Sequence, residues 1–345
     1  MAGTLQFRDH DGAQEAIRKQ LHTTIFSQAF SPGGKYLAVG TSFGEIAVFN
    51  ISASLSRNSN EEDMKPTFLF KATDGPIYCL TTTDKFLISA GTGDVIAWNW
   101  VDVLRKTPKV AWSLPIPTNR YGLSNPEVNS LAIESKDGGK RLFAGCGDNN
   151  TYIWDLESGS LVQTLAGHTD YVHSVALKSL SDQCVTGSED GTVRLWDLRT
   201  PQEPVAVIEP YSEVTCARSE YGRWIGCVAV DPTDDWLVCG GGPKLSLWHL
   251  RTFAVTTVFD TPGACQQYTS FFEDTIISAG SEPYVNHWYI NGDRRSRVPC
   301  TPTSVCNVTI NSEAENNKVL SVVGSSAKVD LCTNFGYKAL SLTVC

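Results

Sequence analysis

The sequence predicts an all-β fold built from repeated units of short strands. Aromatic residues make up 10% of the chain and glycine occurs 28 times, a composition typical of short strands joined by tight turns. Large apolar residues recur at irregular intervals of 40–56 residues, which fits the period of about 40–45 residues of a four-stranded repeat stretched by loops. These anchors are Phe49, Trp98, Trp154, Trp196, Trp248, Trp288 and Leu331. One unit cannot bury both faces of its sheet alone, so a closed ring is expected.

Residues 167–199 show the pattern of one unit most clearly. The stretch opens with Gly167-His168 and closes with Trp196-Asp197, and it resembles one blade of a WD-repeat propeller. Between them, Asp190-Gly191 predicts a tight hairpin. The seven anchors therefore predict a seven-bladed WD-repeat β-propeller over residues 23–345, with an N-terminal helical extension over residues 1–22.

Four polar and aromatic residues of this blade match a structural network of WD repeats. The resemblance implies a buried hydrogen-bonded chain of His168, Thr186, Asp190 and Trp196, because a buried indole N–H needs an acceptor. His, Thr and Asp are also the residue types of a hydrolase triad. Their spacing is that of the blade, however, so we expect a structural role.

The extension and the seven blades follow in chain order. Ala13, Ile17 and Leu21 form an apolar stripe at i, i+4 and i+8, which predicts a short helix that begins near Asp11. This helix could pack across the ring or bind a partner. The predicted blades span residues 24–51, 68–103, 128–165, 167–208, 221–259, 265–298 and 304–344.

The connections between blades complete the predicted architecture. Residues 52–66 and 113–126 are rich in polar residues or proline and are expected to be loops. Residues 337–343 can supply the outer strand of the last blade, so we predict that the ring closes without strand exchange. The glycines at 240–242 could suggest a phosphate-binding turn, but a strand follows them, which favours a tight hairpin.

Composition and charge limit the function. The net charge is −9, so direct contact with RNA would need a local basic patch. The chain has no apolar run of membrane-spanning length and no signal-peptide pattern at its start, and we expect an intracellular protein. Its 11 cysteines form no Cys-x-x-Cys pair and are expected to be core residues rather than disulfides or zinc ligands. No cofactor is expected.

The densest basic cluster comprises Arg294, Arg295 and Arg297. It could contact RNA or an acidic segment of a partner, or it could be a solvated loop between blades. We retain these arginines as candidate partner contacts.

Several segments resemble the THO complex subunit 6 family of WD-repeat proteins, and the similarity covers residues 22–342. His249 stands where a blade usually has aspartate, a variant that this family shares. The most specific segments are Gly167–His173, Gly222–Cys227, Gly240–Pro243, Leu247–Arg251 and Thr333–Tyr337.

This resemblance implies a nuclear, non-catalytic subunit of the THO/TREX complex, which couples transcription and mRNA processing, including splicing, to mRNA export. It implies a scaffold that joins THO protomers, with the coiled-coil subunits 5 and 7 as neighbours. A DEAD-box RNA helicase and export adaptors would be reached through the complex, so any RNA contact would be indirect. Nuclear speckles and restraint of apoptosis are further family associations.

One alternative belongs to a different function class. Trp196-Asp197-Leu198-Arg199 resembles the Trp-Asp-x-Arg box through which substrate receptors dock to cullin–RING ubiquitin ligases. Trp248-His249-Leu250-Arg251 is a degraded second copy. Arg199 and Arg251 are therefore also candidate partner contacts. Replacement of Arg199 by alanine should separate the two functions.

Overall fold

The computed structural model of the protein describes residues 17–117, 125–136, 139–261, 263–311 and 318–344. Within these residues, seven antiparallel sheets of four strands each follow one another along the chain. The first strands of neighbouring sheets contact each other in a closed cycle of seven. The predicted seven-bladed β-propeller is confirmed.

Blades one to three occupy the first half of the chain. Blade one contains β1 (Ile25–Phe30), β2 (Tyr36–Thr41), β3 (Glu45–Asn50) and β4 (Phe68–Lys71). Blade two contains β5 (Ile77–Thr82), β6 (Phe86–Gly91), β7 (Val95–Asn99) and β8 (Val110–Leu114). Blade three contains β9 (Val128–Lys136), β10 (Gly139–Cys146), β11 (Asn150–Asp155) and β12 (Leu161–Ala166).

Blades four to seven repeat the same order, from the inner strand at the channel to the outer strand at the circumference. Blade four contains β13 (Val172–Leu177), β14 (Gln183–Ser188), β15 (Val193–Asp197) and β16 (Ala206–Ile208). Blade five contains β17 (Ile225–Val230), β18 (Trp236–Gly241), β19 (Ser246–His249) and β20 (Ala254–Val258). Blade six contains β21 (Gln266–Phe272), β22 (Thr275–Gly280), β23 (Glu282–Tyr289) and β24 (Arg294–Pro299). Blade seven contains β25 (Val305–Asn311), β26 (Val319–Gly324), β27 (Lys328–Thr333) and β28 (Tyr337–Thr343).

Helices are short and lie outside the sheets. The α-helices are α1 (residues 17–22), α2 (Ile51–Ser54) and α3 (Trp100–Leu104). Short 3-10 helices span Pro32–Gly34, Glu61–Met64, Pro210–Ser212 and Ser219–Tyr221. The side chains of Asn50 and Asn99 accept hydrogen bonds from the first turns of α2 and α3, which fixes where these helices begin. No helix in the described ranges is long and apolar enough to cross a membrane.

Only part of the predicted N-terminal extension lies in the described ranges. Ala13 and Asp11 lie outside them, whereas α1 covers the end of the predicted helix. Ile17 and Leu21 are 55% and 73% exposed, so this part of the apolar stripe points away from the ring. An ion pair of 2.7 Å between Lys19 and Glu45 holds α1 at the start of blade one.

Two outer strands differ from the sequence prediction. Phe68–Lys71 pairs with β3 and completes blade one, although the sequence assigned it to blade two. Val110–Leu114 pairs with β7 and completes blade two, although the sequence predicted no strand over residues 110–112 and placed residues 113 and 114 in a loop. Outer strands bury little of their surface, so their hydrophobic alternation is weak. The predicted loop 52–66 also contains helical turns, and Ser54 within it is buried.

The ring closes between blades one and seven without strand exchange, as predicted, because every sheet is made of consecutive strands. Gln28 of β1 is 3% exposed, and its Nε2 donates to the carbonyl of Ser321 on β26 at 2.9 Å. Apolar residues of both blades form one cluster that includes Phe49 and Leu331. Side chains therefore hold the seam together.

Candidate functional site

The structure brings His168, Thr186, Asp190 and Trp196 together in the core of blade four. His168 Nδ1 lies 2.9 Å from Asp190 Oδ2, and His168 Nε2 lies 2.7 Å from Thr186 Oγ1. The Trp196 indole N–H donates to the same hydroxyl at 2.9 Å. β14, β15 and the turn between them are thereby tied to the loop that precedes β13.

Burial and hydrogen bonding set the charge of this network. Burial lowers the pKa of His168, although the neighbouring Asp190 carboxylate opposes the shift. Burial of Asp190 acts to raise its pKa, but hydrogen bonds from His168 and Thr192 outweigh it and hold the pKa well below its usual range. At neutral pH the pair is therefore a neutral imidazole beside a carboxylate.

This geometry does not suit nucleophilic catalysis. Thr186 has no exposed surface, and its hydroxyl is already shared by the Trp196 N–H and the His168 ring. A nucleophile needs an open approach for its substrate, so the set acts as a structural network. Two other blades keep the indole-to-hydroxyl bond to the second strand, formed by the pairs Trp98 and Ser89, and Trp288 and Ser278. In blade five the Trp248 indole donates instead to Ser246 of its own strand.

A second polar centre, around Arg218, was not anticipated from the sequence. Arg218 is 6% exposed, and its guanidinium lies 4.4 Å from the ring centre of Tyr221. It donates hydrogen bonds to five backbone carbonyls, those of Gly241, Gly242, Pro243, Thr261 and Ala264. No local pattern signals this residue, because its acceptors are distant in sequence.

The glycines at 240–242 border the Arg218 centre and pack closely on the backbone. A Cβ on Gly241 would clash with the carbonyl oxygen of Trp224, and one on Gly242 would clash with that of Gly222. The turn after β18 presents carbonyl oxygens to the cation at distances from 2.8 to 3.3 Å. A phosphate site needs converging N–H groups instead. β18 and β19 pair directly across this turn, so the hairpin interpretation is confirmed. Three segments meet at this point: the connection between blades four and five, the β18–β19 turn and the connection between blades five and six.

The central channel carries mostly polar and aromatic side chains. At the mouth where the inner strands begin, the rings of Phe26 and Tyr78 lie 5.3 Å apart, and His173 Nε2 lies 2.8 Å from Glu189 Oε2. Phe26, Tyr78 and His173 line a cavity of about 270 Å³ at this mouth. A larger cavity of about 800 Å³ opens at the ends of the inner strands.

Arg199 and Arg251 lie on the turns that follow the third strands of blades four and five. Arg199 donates to both oxygens of Asp197, at 2.9 and 2.6 Å, and these bonds hold the pKa of Asp197 well below its usual range. Arg251 lies 3.4 Å from Asp235. The two arginine side chains are 73% and 78% exposed.

Arg294, Arg295 and Arg297 lie on the outer strand of blade six. They form part of β24 and pair with β23, so the interpretation as a loop between blades is wrong. The three guanidinium groups lie over aromatic rings of β23, at 5.7, 5.9 and 3.6 Å from the ring centres of Trp288, Tyr289 and Tyr284. These arginines are close to one another but lie in a different blade from Arg199 and from Arg251.

Cysteines and other ligating residues do not assemble into a centre in the described part of the chain. No group of three or more His, Cys, Asp or Glu side chains there could hold a metal ion. Ten cysteines in these ranges are free thiols. Burial raises the pKa of Cys239 to about 12, which makes it a poor thiolate nucleophile.

The sequence matches known proteins at two levels. The family model described as "WD domain, G-beta repeat" matches residues 159–197, the stretch that carries the complete blade-four network. A protein of Danio rerio named "THO complex subunit 6 homolog" is 44% identical over 94% of this chain and 98% of its own length. "THO complex subunit 6" of Homo sapiens is 44% identical, with 94% of each chain covered. The protein of that name from Drosophila melanogaster is 33% identical over 92% of this chain and 89% of its own.

Proposed function

The chain belongs to the THO complex subunit 6 family, and on this basis we propose that it is a non-catalytic scaffold subunit of a THO complex. In this role it supports higher-order assembly and helps to couple transcription and mRNA processing to nuclear mRNA export. The observation that carries the proposal is the match over nearly the full length of both chains.

The arrangement of polar groups supports a binding role rather than catalysis. The polar groups of the His168 network and of the Arg218 centre form their hydrogen bonds with other groups inside the fold. What the ring offers to solvent is a set of rigid outer strands and turns, the usual site of function on such folds. The exposed arginines of blades four, five and six belong to these surfaces.

The partners follow from the same proposal. We propose other THO subunits as the direct partners, especially the coiled-coil subunits 5 and 7. A DEAD-box RNA helicase and export adaptors would be reached through the complex, with RNA contacted indirectly. The place of action would be the nucleus, including nuclear speckles.

Affinity purification of the tagged full chain from nuclear extract, with and without RNase, tests this proposal. We expect mass spectrometry to recover the other THO subunits equally in both samples, because protein surfaces form the contacts. Loss of these subunits after RNase treatment would contradict the scaffold role and indicate an RNA-tethered protein.

The exposed Arg199 favours one second candidate, a substrate receptor of a cullin–RING ligase. Asp197, which such a box would also present, is already held by both Arg199 hydrogen bonds, and this internal pairing supports a structural role. The variant R199A distinguishes the two functions in the same purification. We expect it to retain the THO subunits, whereas a ligase adaptor that is bound by the parent chain and lost from R199A would support the second candidate.

A further inference from the structure

The outer strand of blade six presents a free sheet edge rimmed with positive charge. β24 is the last strand of its sheet, and Arg294, Arg295 and Arg297 on it are exposed. The whole chain carries a net charge of −9, so this edge contrasts with the rest of the molecule.

The arginines lie on both faces of the sheet. Residues directly opposite in an antiparallel pair share a face, and the partner of Arg294 is Trp288, which packs against Leu245 and Phe259 of blade five. Arg297 lies opposite Asn286 on that same face.

The opposite face is the one that packs on blade seven. It carries Val298, which packs against Val308 and Leu320 of that blade. Arg295 lies over Tyr289 on this face, because a bulge in β24 shifts the register between Trp288 and His287. Guanidinium groups thus flank the free edge on both sides.

Backbone groups of the strand are directed outward between these charges. Cys300 N–H donates to the carbonyl of Pro283 on β23, and hydrogen-bonded and non-hydrogen-bonded pairs alternate along antiparallel strands. Cys300 and Pro283 thus form a hydrogen-bonded pair. Arg297 lies three residues earlier, an odd number, so its pair with Asn286 is a non-hydrogen-bonded one. Its N–H and C=O point away from β23.

The cluster is partly pre-organised and partly unpaired. Arg297 is held by Glu282 at 2.8 Å and lies 3.6 Å from the centre of the Tyr284 ring. For Arg294 and Arg295, no carboxylate of the described residues lies within salt-bridge distance, and their contacts are with the rings of Trp288 and Tyr289.

We propose that β24 binds an extended acidic segment of a partner protein, which adds to blade six as a fifth strand. Side chains of an added strand alternate between the two faces of the sheet. A run of consecutive Asp or Glu residues would therefore meet Arg294 and Arg297 on one face and Arg295 on the other. Main-chain hydrogen bonds would supply affinity, and the charges would select acidic sequences.

The same features disfavour other occupants. Charged residues on an edge strand repel a second copy of that strand, so self-pairing through β24 is opposed. Single-stranded nucleic acid is bound where bases stack on open aromatic faces. Here Trp288 is buried and Arg297 lies over the Tyr284 ring, which leaves the 44% exposed Tyr289 as a single stacking surface rather than one of a row.

Fluorescence anisotropy with the full chain tests the proposal directly. The probe is a fluorescein-labelled decapeptide of alternating Asp and Glu, measured at about 50 mM salt, where charge attraction is weakly screened. A fully N-methylated peptide of the same sequence keeps the charge but cannot donate backbone hydrogen bonds. A labelled decauridylate carries a similar charge on an RNA backbone.

Two double variants remove equal charge from different places. R294S/R295S removes the unpaired arginines of β24, whereas R57S/R105S removes two exposed arginines from blades one and two. We expect the first to weaken peptide binding roughly tenfold and the second to change it less than about twofold. N-methylation should weaken binding by about tenfold or more. All four residues are exposed, so the melting temperatures should match that of the parent chain.

Hydrogen exchange at the Arg297 amide gives an independent readout that needs no variant. The acidic peptide should slow this exchange, because an added strand would accept the outward N–H. Unchanged exchange with bound peptide, or equal weakening by both double variants, would overturn the proposal. Tighter binding of the decauridylate with loss in R294S/R295S would also overturn it and assign the edge to RNA.

Discussion

At the scale of single residues, Arg218 shows how one buried cation can order three separate segments. Its five acceptors are backbone carbonyls rather than a carboxylate. A buried charge is tolerated only when its donors are satisfied. The connections between blades four, five and six therefore depend on this side chain for their conformation.

Replacement of Arg218 by methionine should destabilise the protein by about 3 kcal/mol or more, since it leaves several buried carbonyls without donors. Urea unfolding gives the free energy. R251M is the matched control, because Arg251 is 78% exposed, and it should cost about 0.5 kcal/mol or less. Equal stability of the two variants would contradict the role assigned to Arg218.

His168 and His287 make stability depend on pH. Burial lowers the pKa of both, and the charge of Arg295 adds to the effect at His287. The fold thus favours the neutral imidazoles, and the unfolded chain binds more protons below the ordinary histidine pKa of about 6.5. Their contribution is complete above this pH and is lost as the pH falls below it.

The free energy of unfolding of the parent chain should therefore decrease between about pH 7.5 and pH 5. H168Q should be less stable at pH 7.5, because the bonds to Asp190 and Thr186 are disturbed, but its stability should fall less on acidification. Urea titrations at several pH values measure both effects. Parallel pH curves for the parent and H168Q would show that His168 does not contribute to the dependence.

At the scale of elements, close approach between blades depends on glycine where the second strand of one blade meets the inner strand of the next. A Cβ added to Gly187 on β14 would lie 2.7 Å from Ile225 Cγ2 and 2.9 Å from Val228 Cγ1 on β17. Both neighbours belong to the apolar cluster between blades four and five, so neither can yield without disturbing that core.

Replacement of Gly187 by valine should cost about 2–3 kcal/mol through overpacking of this cluster. Gly263 offers the control, since a Cβ there would meet no atom within 4 Å, and G263A should be nearly neutral. Thermal unfolding of the two variants measures the difference. A small effect of G187V would mean that β14 and β17 can separate easily.

The elements also show where prediction from sequence succeeds. The sequence predicts the hairpin of blade four from Asp190-Gly191. The structure shows the reason for the glycine, because Gly191 adopts a φ of 90°, which favours glycine. The sequence assigned β4 to the wrong blade and missed β8. Outer strands are half exposed and show little alternation, so only their pairing with β3 and β7 in the folded ring identifies them. The arginines of β24 were placed in a loop for the same reason.

At the scale of the whole molecule, seven apolar clusters each join a pair of neighbouring blades. The seam between blades one and seven is built like the others, although its two sides are far apart in the chain. Gln28 bridges it to Ser321 and Asn307, and Asn311 donates to the Gly34 carbonyl at 2.9 Å. The ring should therefore unfold as one unit.

Replacement of Gln28 by alanine tests this cooperativity. All nine tryptophans lie between Trp98 and Trp288, so their fluorescence reports on blades two to six rather than on the two blades that form the seam. Q28A should lower the free energy of unfolding seen by tryptophan fluorescence by about 2 kcal/mol, because buried polar partners lose their bonds. Q267A, at an exposed glutamine of blade six, should have little effect. An unchanged tryptophan transition in Q28A would show that the seam opens independently.

The sequence by itself determined the number of blades, the blade-four network and the family. Each of these depends on residues that are close in sequence, such as His168 and Trp196, or on residues that recur from blade to blade. Only the tertiary structure decided that Arg218 would meet carbonyls of two other segments, that Gln28 would bridge the ring to Ser321, and that Arg294, Arg295 and Arg297 would rim a free edge. These contacts join residues with no fixed separation, and ring closure alone brings them within hydrogen-bonding or packing distance.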